Sequence, residues 1–148
     1  SVKIGAIIGN YQNKDIEILH KFSESLGNLF QITDDILGIW GDSSKTGKPV
    51  GSDIINRKKS LPIIHCKNQL DQNDFMKFEK IYSSDKPQTN DVENILNFLN
   101  STNTKLYSNQ LAIKYYECCI EYLNKTSLKE SEIKPLKFIA QKLVSREK

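Results

Sequence analysis

The run from Asp15 to Trp40 restricts this 148-residue chain more than any other feature. Apolar residues recur along it at helical spacing, no proline interrupts it, and it is too long for a strand, so it predicts one long α-helix over 15–40. Leu26, Leu29, Phe30, Ile32, Ile36 and Leu37 cover most of the helix surface, which is therefore expected to be buried nearly all round. One polar stripe stands against that background. Gln31, Asp34, Asp35 and Gly38 fall at i, i+3, i+4 and i+7, inside an arc of about 100°. Gly27 extends the stripe one turn back and leaves room beside the polar groups.

Two ionised carboxylates beside Ile32, Ile36, Ile39 and Trp40 are costly unless a positive charge meets them. The chain places cations immediately downstream, at Lys48, Arg57, Lys58 and Lys59. Mg²⁺ is the other resolution, since it takes one or two carboxylates and leaves its remaining positions to phosphate or water. Lysines would then add positive charge for that phosphate. The segment 30–62 therefore proposes a metal–diphosphate site with Asp34 and Asp35 as metal ligands. The intervening GDSSKTGK superficially suggests a Walker loop, which needs GxxxxGK followed by Ser or Thr after a strand. Here five residues separate Gly41 from Gly47, Pro49 follows Lys48, and the loop leaves a helix, so that reading fails. A flexible connection that brings Lys48 over a diphosphate fits better. Arg57 and Lys59 are expected to be solvated neighbours.

Phe30, Gln31, Asp34, Asp35, Gly41, Asp42, Gly47, Lys48, Ser52, Asp53, Lys58, Ser60, Leu61 and Pro62 stand in the order FQ-x-x-DD, GD, a short loop, GK, SD and K-x-S-LP. This pattern resembles the second aspartate-rich region of the trans-isoprenyl diphosphate synthase (polyprenyl synthetase) family. One position departs, because Gly38 stands where that family usually has a third aspartate. The first aspartate of the motif carries most of the metal coordination in the family, so the loss is expected to be tolerated. The opening SVKIGAIIG and the closing LKFIAQKLVSREK resemble further helices of the same half of the family's domain. The resemblance implies an all-α chain, the C-terminal half of the isoprenoid synthase helical fold. Residues 1–148 would form a partial polyprenyl synthetase domain, lacking the N-terminal half with its first aspartate-rich motif.

The resemblance also implies a reaction: Mg²⁺-dependent condensation of an allylic prenyl diphosphate with isopentenyl diphosphate in isoprenoid biosynthesis. In it Asp34 and Asp35 hold the metal, and Lys48 and Lys58 meet the diphosphate. Gln31 hydrogen-bonds a phosphate-bound water or helps position the cation. A homodimer is expected of the full-length protein. The alternatives are a class I terpene cyclase or a head-to-head condensing enzyme of the same fold, or a noncatalytic half-length subunit.

The rest of the sequence excludes other classes. A net charge of +3 without a basic, aromatic-interleaved stripe argues against nucleic acid. No uncharged apolar stretch approaches the ~18 residues of a membrane span, and no signal peptide opens the sequence. Cys66, Cys118 and Cys119 lack metal-like spacing and read as reduced thiols, which implies a cytoplasmic protein. His20 and His65 read as structural. Phe75, Phe78, Phe98, Tyr107, Tyr115, Tyr116, Tyr122 and Phe138 sit at helical spacings and read as core. Other helices are expected at 2–8, from Asp53 to about Leu70 with a kink at Pro62, and at 71–82, 91–99, 104–123 and 131–146. A loop is expected at 41–51 and a turn at 83–90.

Overall fold

The computed structural model describes residues 1–47, 49–84 and 90–145, the side chains of Lys45 and Thr46 aside. It is all-α, with no strand among the described residues. The helices are α1 (Val2–Ile8), α2 (Asn13–Trp40), α3 (Ser43–Thr46), α4 (Ser52–Ile55), α5 (Leu61–Gln69), α6 (Gln72–Tyr82), α7 (Asp91–Ser101), α8 (Thr104–Asn124) and α9 (Glu130–Val144). At ~1.5 Å per residue the 28 residues of α2 extend about 42 Å. The expected turn at 83–90 has its centre, 85–89, outside the described residues, as is the expected helix end at Arg146.

The helix expected from Asp53 to Leu70 is two helices. Asp53 lies inside α4, whose N-cap is Gly51, and Pro62 lies in the first turn of α5 rather than at a kink. Proline is tolerated there because the first-turn N–H groups have no intrahelical partner. The expected loop at 41–51 contains the short α3. Asp42 caps it by accepting from the Ser44 N–H at 2.8 Å, and Gly47 ends it at φ +69°, a left-handed conformation that glycine adopts at no steric cost.

The chain divides into two compact units, Ser1–Thr33 with Leu111–Lys148, and Asp34–Gln110. In the first unit Ala6, Leu19, Phe22, Leu29, Ile32, Ala112, Cys119, Leu123, Ile133 and Ala140 are buried. Asp15, in the first turn of α2, is only 3% exposed. It accepts the Ser127 backbone N–H at 2.9 Å and the Ser127 hydroxyl, joining the start of α2 to the connection between α8 and α9. Those hydrogen bonds hold its carboxyl below the usual aspartate range. Tyr11 donates to Glu132 Oε1 at 2.6 Å, while Glu132 Oε2 accepts the Lys129 N–H at the start of α9.

The second unit has a core of Ile39, Ile54, Ile63, Cys66, Phe78, Ile95 and Leu99, drawn from α2, α4, α5, α6 and α7. Burying an aliphatic side chain of this size contributes about 1.5–3 kcal/mol, so this cluster is what fixes the short α4 beside the end of α2. His65 is structural, as the sequence suggests. Its Nδ1 lies 2.9 Å from the buried Thr104 hydroxyl, its ring stacks on Tyr107, and burial lowers its pKa.

Two burial expectations need correction. α2 is not covered all round: Phe30 is 48% exposed, and Gly27 and Gln31 are exposed beside it. Of the aromatic residues expected in the core, Phe78 is fully buried, whereas Phe75, Tyr107 and Phe138 are exposed. Helical spacing marks a face as apolar; what covers that face is decided elsewhere in the chain.

Candidate functional site

The site is assembled where α4 docks on the last two turns of α2. The Gly51 N–H donates to the Ile39 carbonyl at 3.0 Å, and the Ser52 hydroxyl donates to the Gly38 carbonyl at 3.2 Å. α4 then stops in a Schellman arrangement, with the Lys58 N–H on the Asp53 carbonyl and the Arg57 N–H on the Ile54 carbonyl. The left-handed residue in that stop is Arg57, at φ +53°, an uncommon conformation for a residue with a side chain. Its guanidinium pairs with Asp91 at 3.1 Å and lies over the Tyr82 ring. Arg57 is thus a largely buried structural cation, not the solvated neighbour the sequence suggests. Tyr82 also donates to the Lys58 carbonyl at 2.7 Å, and burial pushes its phenol up to about 12.

This backbone path delivers Lys58 to three carboxylates. Its ammonium lies 3.0 Å from Asp35 Oδ1, 3.0 Å from Asp53 Oδ2 and 3.7 Å from Asp34 Oδ2. Partial burial works against the charge, but hydrogen bonds to Asp35 and Asp53 outweigh it, so the lysine pKa is raised well above its ordinary range. The adjacent aspartates of α2 differ sharply in setting. The Asp35 side chain is 5% exposed, and its Oδ2 also accepts the Leu61 N–H at 2.8 Å, satisfying a first-turn donor of α5. Ser60 occupies the N-cap position of that helix but makes no side-chain cap bond, so a carboxylate from α2 does the capping instead. The Asp34 side chain is 48% exposed, at the loosest of the three distances.

Gly38 is where the motif departs from the expected aspartate, yet its surroundings are occupied. A Cβ built on Gly38 would stand 2.6 Å from Asp53 Oδ1 and closer still to the other carboxylate atoms. The Asp53 carboxylate therefore rests directly on the Cα face that glycine leaves bare.

The structure thus brings together Asp34, Asp35 and Lys58, and adds Asp53, which the sequence marks only as the start of a helix. Gln31 is exposed on α2 within the first unit. Lys48 lies outside the described residues. Among the described residues no group of three or more His, Cys, Asp or Glu side chains is placed to hold a metal ion. A half-exposed hard oxygen donor such as Asp34 still fits Mg²⁺, which commonly takes one or two carboxylates and completes its octahedron with phosphate and water. A separate cleft of about 730 Å³ lies along α6 and α7, lined by Lys77, Ile81, Asn94 and Phe98, and includes neither Asp34 nor Lys58. Among the described residues no helix is long and apolar enough to cross a membrane.

Known proteins resemble this chain in both sequence and fold. Over the whole chain, 32% of residues are identical to the geranylgeranyl diphosphate synthase of Sulfolobus acidocaldarius, of which the chain covers 45%. A geranylgeranyl diphosphate synthase of Mycobacterium tuberculosis is 45% identical over 65 residues, covering 44% of the chain and 19% of that protein. The crystal structure of the geranylgeranyl pyrophosphate synthetase from Pyrococcus horikoshii superposes with a TM-score of 0.87 at 33% identity, over 98% of this chain and 43% of that one. The chain therefore spans less than half the length of these relatives. The polyprenyl synthetase family pattern matches residues 1–99, the stretch that carries Asp34, Asp35, Asp53 and Lys58. The all-α fold agrees with that match, and the chain belongs to the polyprenyl synthetase family.

Proposed function

We propose that the native protein condenses an allylic prenyl diphosphate with isopentenyl diphosphate in isoprenoid biosynthesis, and that this chain supplies the C-terminal half of the catalytic domain. The observation that carries the reading is the half-exposed Asp34 beside a lysine held by Asp35 and Asp53. That pairing presents an oxygen donor for a metal and a cation for the phosphate oxygens at one place. The chain's coverage of its relatives, and the exposed Ile4, Ile7 and Ile8 on α1, suit a second half carrying the first aspartate-rich motif. In this reading the full-length protein is a cytoplasmic homodimer.

In the mechanism, Asp34, with Asp35 beside it, would hold Mg²⁺. When bound, the metal supplies electrostatic stabilisation of the charge that builds on the departing diphosphate. Lys58 adds a fixed positive charge to the same oxygens, and Lys48 is proposed as a second cation for them. Gln31 orients a phosphate-bound water or the allylic cation. Ionisation leaves an allylic carbocation, isopentenyl diphosphate adds to it, and loss of a proton restores the double bond. The helices' apolar side chains exclude the water that would quench the cation.

The test is incubation of the native gene product with Mg²⁺ and an allylic diphosphate, with and without isopentenyl diphosphate. An elongated prenyl diphosphate formed only with isopentenyl diphosphate is the expected result. A cyclic or head-to-head product formed without it would move the protein to another activity of the fold.

A further inference from the structure

Gly38 and Asp53 form a unit that the proposed reaction does not by itself require. The two hydrogen bonds from Gly51 and Ser52 set α4 on the end of α2, beside Gly38. The bare Cα face of Gly38 then receives the Asp53 carboxylate, which any side chain at position 38 would have to displace. From there Asp53 reaches the Lys58 ammonium at 3.0 Å, on a bearing different from that of Asp35. Asp53 also accepts the Lys58 backbone N–H through its carbonyl, so one residue fixes both ends of the lysine. An ammonium on a four-carbon stem has many rotamers, and two carboxylates at 3.0 Å restrict them before a ligand arrives.

We infer that Gly38 is a slot that admits the Asp53 carboxylate, and that Asp53 is a positioning residue that holds Lys58 ready for a diphosphate beside Asp34. This rests on the reading of Asp34 and Lys58 as a metal–diphosphate site. It gives the glycine at position 38 a role of its own, since here a carboxylate comes to that place from α4 instead of from α2. Asp53 acts through Lys58, without touching the ligand.

A double-mutant cycle in the native protein tests it, with Gly38→Ala, Asp53→Asn and the two combined. The readouts are titration calorimetry of inorganic diphosphate in the presence of Mg²⁺, and thermal unfolding followed by circular dichroism. Asp53→Asn keeps the shape of the side chain and removes its charge, so it separates positioning from packing. Each single variant is expected to weaken diphosphate binding about tenfold, the scale of one charge-assisted hydrogen bond. The double variant is expected to be no weaker than the weaker single, because both changes remove the same contact. Wild-type affinity in Asp53→Asn, or losses that multiply in the double variant, would overturn the inference and leave the metal–diphosphate reading intact. A wild-type protein that binds no Mg²⁺-dependent diphosphate removes both. Melting temperatures within a few degrees of wild type show that the affinity changes belong to the site and not to the fold.

Discussion

Asp15 and Asp35 are both buried carboxylates that accept a backbone N–H from a segment distant in sequence, yet they are completed differently. Asp15 meets the N–H and hydroxyl of Ser127, two neutral donors on one residue, and the result is a clamp. Asp35 meets the N–H of Leu61 and the ammonium of Lys58, and that ammonium is shared with Asp53 and, more loosely, with the half-exposed Asp34. A neutral clamp only holds chain segments together. A charged clamp with a surplus carboxylate also presents a cation and an anion side by side at the surface, the arrangement on which the proposed diphosphate site rests. Both rely on the same hydrogen-bonding device; the first unit's aspartate is a neutral clamp, and the second's belongs to the site proposed above to hold a metal–diphosphate.

The comparison can be broken most forcefully at Asp35. Asp35→Ala removes a charge-assisted hydrogen bond and the partner of a first-turn amide of α5. It should destabilise the native protein by about 3 kcal/mol and also weaken Mg²⁺-dependent diphosphate binding. Asp15→Ala should cost about 2 kcal/mol in urea unfolding and leave diphosphate affinity unchanged, since only the Ser127 donors lose their acceptor. Loss of diphosphate binding in Asp15→Ala would erase the distinction.

Acid should sharpen the same contrast. The folded-state pKa of Asp15 is depressed, so its contribution is fully present above the ordinary aspartate pKa of about 3.9 and is lost as pH falls through the lower folded value. Wild type should therefore lose more stability than Asp15→Asn as pH drops below about 4. Equal acid sensitivity of the two proteins would show the clamp to be without linkage. The smallest effect is expected at Tyr82→Phe, which leaves the Lys58 carbonyl without the phenol donor at a cost of about 1 kcal/mol.

The sequence makes the helical fold and the Asp34–Asp35 pair legible because both are local patterns. The 3.6-residue period of α2 and the spacing of its polar stripe need no knowledge of what packs on them. What is not legible depends on residues far away. The break between α4 and α5 is hidden because a left-handed Arg57 is held by Asp91, 34 positions on. Asp53 reads only as the start of a helix because nothing local reveals that its carboxylate will lie on Gly38. Asp15 passes unnoticed because its partner, Ser127, is 112 positions away. Phe30 and Phe138 read as core because periodicity identifies an apolar face but not its cover. The one signal that could have pointed to Asp53 is the coincidence of a glycine on the polar stripe of α2 with a further aspartate shortly after the loop.

In the proposed site Asp34 is the metal-facing carboxylate and Lys58 stands ready beside it. Titrating inorganic diphosphate into the native protein and into Asp34→Ala, each with and without Mg²⁺, tests it most directly. Mg²⁺-dependent binding is expected in wild type and a loss of more than about tenfold in the variant, with unfolding unchanged because Asp34 is half-exposed. Undiminished Mg²⁺-dependent binding in Asp34→Ala would contradict it.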